Sequence, residues 1–133
     1  MPDELVIQEA ARWLRYAKED YAAAVMLESA RPRHTCLLAQ QSAEKAIKAG
    51  LALLDERIPK SHDLDMLKGL LPVTWRTRNQ FADLSALSFW AVESRYPGDM
   101  PEATQDDAVA ALALARDVLA VVEQDMRGHG FPE

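Results

Sequence analysis

The 133-residue chain has little that would fix a small protein covalently or through a metal ion. Its one cysteine, Cys36, cannot form an intramolecular disulfide, and no two of its three histidines stand at metal-ligand spacing. Cys36 therefore reads as a small buried hydrophobe on a helix. Five glycines, 7% aromatic residues and no useful stretch of period-2 alternation argue against a strand-built protein. No apolar run approaches the ~20 residues of a membrane span. The acidic opening from Met1 to Glu9 is unlike a secretory signal, so a reduced cytoplasm is the expected compartment. Also missing are glycine-rich phosphate loops, Ser or Cys nucleophile constellations, repeats and low-complexity linkers. No cofactor and no membrane partner are implied. One domain over residues 1–133 is expected, and that length can bury a core without staples.

Alanine and leucine dominate an apolar share of 49%, and they recur at helical spacing. Five helical segments are predicted. The first runs from about Glu4 to Ser29, with Ala10, Leu14, Ala17, Tyr21 and Ala24 on one face. Arg31-Pro32 ends it, and Pro32 occupies the first turn of a second helix that reaches about Leu54. On that helix Cys36, Gln40, Ala43, Ile47, Gly50 and Leu54 trace a face widened by Leu37 and Leu51, with Gly50 marking a close approach. Pro59 breaks the chain. Ser61 is a candidate N-cap for a short helix bearing Leu64, Leu67, Leu70 and Leu71, and Pro72 closes it. A fourth helix is predicted from about Trp75 to Val92, with Phe81, Leu84, Leu87 and Ala91 inward. After the breaker-rich ESRYPGDMPE loop, Thr104 caps the last helix with Asp107 three residues on. Its buried face, from Ala108 to Met126, ends at Gly128. The expected fold is all-α: a bundle of about five helices built on a long antiparallel hairpin. The three tryptophans, Trp13, Trp75 and Trp90, are expected as core or interface anchors. Surplus apolar surface on such a bundle points to a homodimer.

The net charge of −6 argues against a general nucleic-acid coat, but the charge is unevenly spread. Residues 1–30 carry 3 basic and 6 acidic side chains, and residues 79–133 carry 3 and 10, whereas residues 31–78 carry 9 and 5. The basic excess falls where the chemistry-bearing residues gather. Gln41, Glu44, Lys45 and Lys48 form a polar stripe on the second helix, running toward Arg57 and His62. A solvated face and a phosphate-receiving site are both open readings of that stripe.

His62, beside a helix start, is the sharpest single candidate: a neutral imidazole accepts a proton while nearby N–H groups hold an anion. Arg57 supplies a permanent charge and a forked donor set for phosphate oxygens. Metal-free RNA cleavage needs these two roles, a base for the 2′-hydroxyl and a cation for the phosphorane. The ordinary alternative for His62 is a capping or surface residue. Lys45, Lys48 and Lys60 are candidate phosphate contacts, joined by Arg95 and Tyr96 if the Arg95-Tyr96-Pro97 loop reaches the same pocket. Otherwise that loop is a helix-ending turn. His34 is expected to be solvated and His129 frayed.

The block QQSAEKAIKA, the segment SHDLDML, and the tripeptide RYP before an alanine-rich last helix occur in an order that resembles the HEPN domain family. The resemblance covers most of the chain. It implies an up-and-down helical bundle that dimerises and is often encoded beside a separate minimal nucleotidyltransferase as a two-component, toxin–antitoxin-like module. Active members resemble metal-independent ribonucleases in which an Arg-x4–6-His motif from two subunits lines a composite cleft, and Arg57 and His62 occupy those motif positions here. Catalytic members tend to carry a polar residue directly after the arginine, where this chain has Ile58. The leading expectation is therefore a module that binds nucleotide or RNA phosphate and acts with such a partner. The alternative is a ribonuclease using Arg57 and His62.

Overall fold

The computed structural model describes residues 2–93 and 102–133, and every regular element among them is helical. Three long helices and four short ones follow in the order α1 (Glu4–Met26), α2 (Pro32–Leu53), α3 (Leu64–Lys68), α4 (Arg76–Gln80), α5 (Ser85–Ser88), α6 (Trp90–Glu93) and α7 (Gln105–Gly128). Asp3 caps α1 by accepting from the Val6 amide at 3.0 Å. Pro32 opens α2 at its first position, where a missing N–H costs nothing. At the start of α7 the predicted reciprocal cap is present. The Thr104 hydroxyl accepts from the Asp107 amide at 3.1 Å, and the Asp107 carboxylate accepts from the Thr104 amide at 2.9 Å.

Small residues let α1 and α2 pack closely, and two buried hydroxyls fix their register. Thr35 donates to the Ala24 carbonyl at 2.8 Å, and Ser42 to that of Ala17 at 2.7 Å. As residue numbers rise along α2 their partners on α1 fall, so the two helices form an antiparallel hairpin. The third long helix, α7, runs alongside α2 in the same direction. Asp107 near its start lies close enough to Cys36 to perturb it electrostatically, and Arg127 and Gly128 at its end share a cleft with Leu53 and Leu54. Lys18 closes α1 onto α7 through Glu123 at 2.9 Å. The short helices make the return passage from the end of α2 to the start of α7. Burial, together with the charge of Asp107, pushes the Cys36 thiol up to about 11, as befits a small core side chain.

One predicted element divides. The helix expected from Trp75 to Val92 becomes α4, α5 and α6. The break at Phe81 has a cause in α3: Lys68 donates to the Phe81 carbonyl, and the Asp65 carboxylate accepts from the Leu84 amide at 2.9 Å. Backbone groups that would continue a helix are satisfied by α3 instead. Asp125 of α7 accepts from the Arg76 and Thr77 amides at 3.1 and 2.8 Å, so the orphan donors of α4 are capped from another helix. The N-cap of α3 is Asp63 rather than Ser61, whose hydroxyl accepts from the Asp63 amide at 3.1 Å. His129 is not frayed: its ring meets Trp75 edge-on with centroids 5.9 Å apart. Trp75 is buried as expected, while Trp13 and Trp90 are half-buried against the core.

Gly50 does mark a close approach, made by the Trp75 side chain rather than by a helix backbone. A Cβ there would stand 2.9 Å from Cζ3 of Trp75 and 3.4 Å from Cδ2 of Leu71. Alanine would improve helix propensity by about 1 kcal/mol. Displacing a packed ring costs about 1–3 kcal/mol. Gly50→Ala should therefore lower stability by about 1 kcal/mol net, seen as a reduced urea midpoint. A raised midpoint would show that the ring yields freely.

Candidate functional site

The site grows from the way the chain leaves α2. Asp55 adopts a left-handed conformation with φ 57°. Its amide donates to the Ala52 carbonyl and that of Glu56 to the Leu51 carbonyl, both at 3.0 Å, which closes α2 with a Schellman turn. The chain thereby reverses, and residues 56–63 run back beside the helix they have left. Ile58 packs against the core and anchors this returning segment. The apolar residue after Arg57 thus has a structural role.

Further along, the linker is tied to α2 by two side chains. Gln40 donates to the His62 carbonyl at 3.2 Å, and Glu44 meets the His62 Nδ1 at 2.8 Å. Gln40 also donates to the Glu44 carboxylate at 3.1 Å, and Lys48 donates to its other oxygen at 2.8 Å. Glu44 and Lys48 are thus buried, with 7% and 6% exposure, and the expected solvated stripe is partly an internal network. The Lys48 ammonium also lies 5.9 Å from the Trp13 ring centroid. Burial pushes the Glu44 pKa up, but hydrogen bonds from Lys48, His62 and Gln40 and the Lys48 charge outweigh it, and the net shift is downward.

An ionised carboxylate only accepts hydrogen bonds, so Nδ1 of His62 carries the proton facing Glu44. In the neutral ring Nε2 is then left with its lone pair, on a side chain that is 51% exposed. The arrangement orients an imidazole against a braced carboxylate, as acid–base sites do. The exposed lone pair of Nε2 equally accepts a hydrogen bond from a hydroxyl or N–H donor.

The other sequence candidates divide. Lys45 pairs with Asp20 at 2.6 Å, joining α2 to α1. Lys48 reaches the site only through Glu44. Arg57 and Lys60 are exposed and together line a cleft of about 510 Å³ with Glu56, Pro59 and Leu70. Arg95 and Tyr96 lie outside the described residues. His34 is exposed and meets the neighbouring Arg33 at 3.4 Å. Among the described residues no group of His, Cys, Asp and Glu side chains is placed to hold a metal ion, and no helix is long and apolar enough to cross a membrane. The parts missed in the sequence are Gln40 and Glu44 as the supports of His62. Their signal was partial: Gln40 is a polar residue on the apolar face of the helix, one turn before Glu44.

Glu44 can be tested through pH. Its folded pKa is depressed, so its stabilising contribution is fully present above the unfolded glutamate value of about 4.3 and is lost as pH falls through the lower folded value. Glu44→Ala leaves the buried Lys48 ammonium unpaired and should cost about 3–5 kcal/mol at neutral pH. The variant's stability should then fall less steeply than the wild type's between neutrality and acid. An equally steep acid limb in urea titrations of both proteins would refute this role.

A family model for the HEPN domain matches residues 10–125. Among solved structures the chain is similar to the crystal structure of TT1696 from Thermus thermophilus, with a TM-score of 0.75 and 26% identity over 87% of this chain and 97% of that one. It is also similar to the crystal structure of ST0689, an archaeal HEPN homologue, with a TM-score of 0.66 and 24% identity over 88% of this chain and 97% of that one. The second likeness concerns the fold alone. No curated protein matches the chain. The family match runs from buried Ala10 of α1 through the Glu44–His62 network to Asp125, the cap of α4, and so takes in most of the chain and of its helices: the chain belongs to the HEPN domain family.

Proposed function

We propose that this HEPN domain binds the phosphates of a nucleotide or single-stranded RNA at Arg57 and Lys60, with His62 on the same linker. In this reading it is a homodimer that works with a separate minimal nucleotidyltransferase in a two-component, toxin–antitoxin-like system. One observation carries the site. Among the described basic side chains, Arg57 and Lys60 alone make no hydrogen bond or ion pair, and they line the same cleft. Two unpaired cations on one cleft outnumber the single carboxylate there, that of Glu56, and favour an anion. The homodimer and the nucleotidyltransferase partner rest on the family to which the chain belongs.

The measurement is fluorescence anisotropy of a labelled single-stranded RNA in EDTA across a salt series. Arg57→Ala and Lys60→Ala should each weaken binding and flatten the slope of log K against log salt by about 0.7, the contribution of one phosphate contact on a single strand. Lys45→Ala, whose ammonium is held by Asp20, serves as the control and should leave the slope unchanged. Unaltered slopes in the Arg57 and Lys60 variants would remove the assignment.

The Glu44–His62 geometry favours a second reading, a metal-independent ribonuclease. Nε2 of His62 would take the 2′-hydroxyl proton, that oxygen would attack the adjacent phosphorus, and Arg57 would stabilise the phosphorane. The P–O5′ bond would then break, leaving a 2′,3′-cyclic phosphate and a 5′ oxygen that takes its proton from water. His62→Ala should then reduce RNA cleavage in EDTA by about 10²–10⁴-fold. Absence of any cleavage by the partner-free wild type would leave the binding module as the sole reading.

A further inference from the structure

The cleft that holds Arg57 and Lys60 is more than a pair of cations. Its remaining walls are Pro59, Leu70 and Glu56. Leu70 is 48% exposed, a large apolar side chain left beside two unpaired charges. Glu56 makes no side-chain hydrogen bond or ion pair among the described residues, even with the cations that share the cleft. A phosphate alone needs neither an apolar wall nor a carboxylate, which would repel it. A whole nucleotide has use for all three. Its phosphate suits Arg57 and Lys60, the face of its base suits Pro59 and Leu70, and hydrogen-bond donors on the base edge suit Glu56. The volume of about 510 Å³ is within the range of small-ligand sites.

We infer that this cleft is a guanine-nucleotide subsite in which Glu56 reads the base, an assignment that rests on the phosphate-binding reading above. The selectivity follows from hydrogen-bond inventory. A carboxylate is acceptor-only, with two oxygens side by side, so its match is two adjacent donors. Guanine presents N1–H and the 2-amino group next to each other. Adenine and cytosine each set a lone pair beside their amino group, and uracil flanks its single N–H with carbonyl oxygens. Three of the four bases therefore turn at least one acceptor toward Glu56, and an acceptor facing an acceptor forgoes a hydrogen bond and is repelled by the carboxylate.

The test is calorimetric titration of the 133-residue chain in EDTA with 5′-GMP, 5′-IMP, 5′-AMP and 5′-dGMP. GMP should bind roughly tenfold or more tightly than AMP, the scale of one bidentate base contact, with IMP between them for want of the 2-amino group. In Glu56→Gln that preference should collapse while binding itself persists. Arg57→Ala and Lys60→Ala should weaken all four ligands together. Glu56, Arg57 and Lys60 are exposed, so the variants keep the fold, and circular dichroism checks this. Equal binding of all four nucleotides, still dependent on Arg57 and Lys60, would overturn the base assignment and leave the phosphate site standing. A loss with dGMP that exceeds the loss with IMP would place Glu56 on the ribose and also overturn it. Binding by none of them, together with unchanged RNA salt slopes, would overturn the phosphate site itself.

Discussion

A buried carboxylate organises this protein. Glu44 sits on the central helix with almost no exposure, and such a charge is tolerable only where it is paired and fully hydrogen-bonded. Lys48 supplies the counter-charge from one turn further along, and Gln40 supplies a neutral donor from one turn before. The remaining demand is met from outside the helix, by Nδ1 of His62. The need to satisfy one side chain therefore reaches across the fold and determines where the linker lies. Because Gln40 also holds the His62 carbonyl, the ring is fixed through backbone and side chain together. A histidine held this way loses little freedom when it meets a ligand, which is the advantage of preorganisation.

The same demand for internal polar contacts explains the short middle helices. A run of residues with helical periodicity from Trp75 to Val92 would form one helix if only local propensity counted. Yet α3 offers a carboxylate, Asp65, and an ammonium, Lys68, at the level of Phe81 and Leu84. Those partners compete with the helical hydrogen bonds, and each broken backbone bond is replaced by one to a charged group. Charged partners make hydrogen bonds roughly twice as strong as neutral ones, so the break is held rather than merely tolerated. Asp125 then caps α4 from α7, and the return passage becomes fastened to two elements.

Much of this frame was legible in the sequence, and the rest was hidden for identifiable reasons. Pro32, the Thr104–Asp107 cap and the periodic faces of α1 and α7 are local signals, and local signals placed all three long helices within a few residues. The division of the fourth helix was invisible because its cause lies in residues of α3, distant along the chain. The polar stripe on α2 misled in part: spacing puts Glu44 and Lys48 on one face but cannot show that a returning linker covers it. His62 and Arg57 stood out as residue types suited to phosphate chemistry. That Lys45 and Lys48 are consumed by Asp20 and Glu44, while Arg57 and Lys60 are not, depends on which carboxylates the fold brings near, and no spacing rule supplies that. The Ile58 departure acquired a reason only when its side chain was found packed on the core.

The linker combines two requirements that usually conflict, exposure and order. Its charged side chains stand in solvent, yet its path is constrained at three successive points. The Schellman turn at Asp55 sets the direction in which the chain leaves α2, Ile58 fastens the middle to the core, and Gln40 and Glu44 hold the far end at His62. Between these anchors Glu56, Arg57 and Lys60 face outward with no internal partner. Loops that are free to move would have to be ordered on binding, at a cost of about 1–2 kcal/mol for each backbone residue immobilised. Here the folding of α2 and the burial of Glu44 have already met most of that cost. A charged side chain with no partner on an otherwise ordered segment contributes nothing to stability. It stays available to solvent or to whatever approaches the linker from outside.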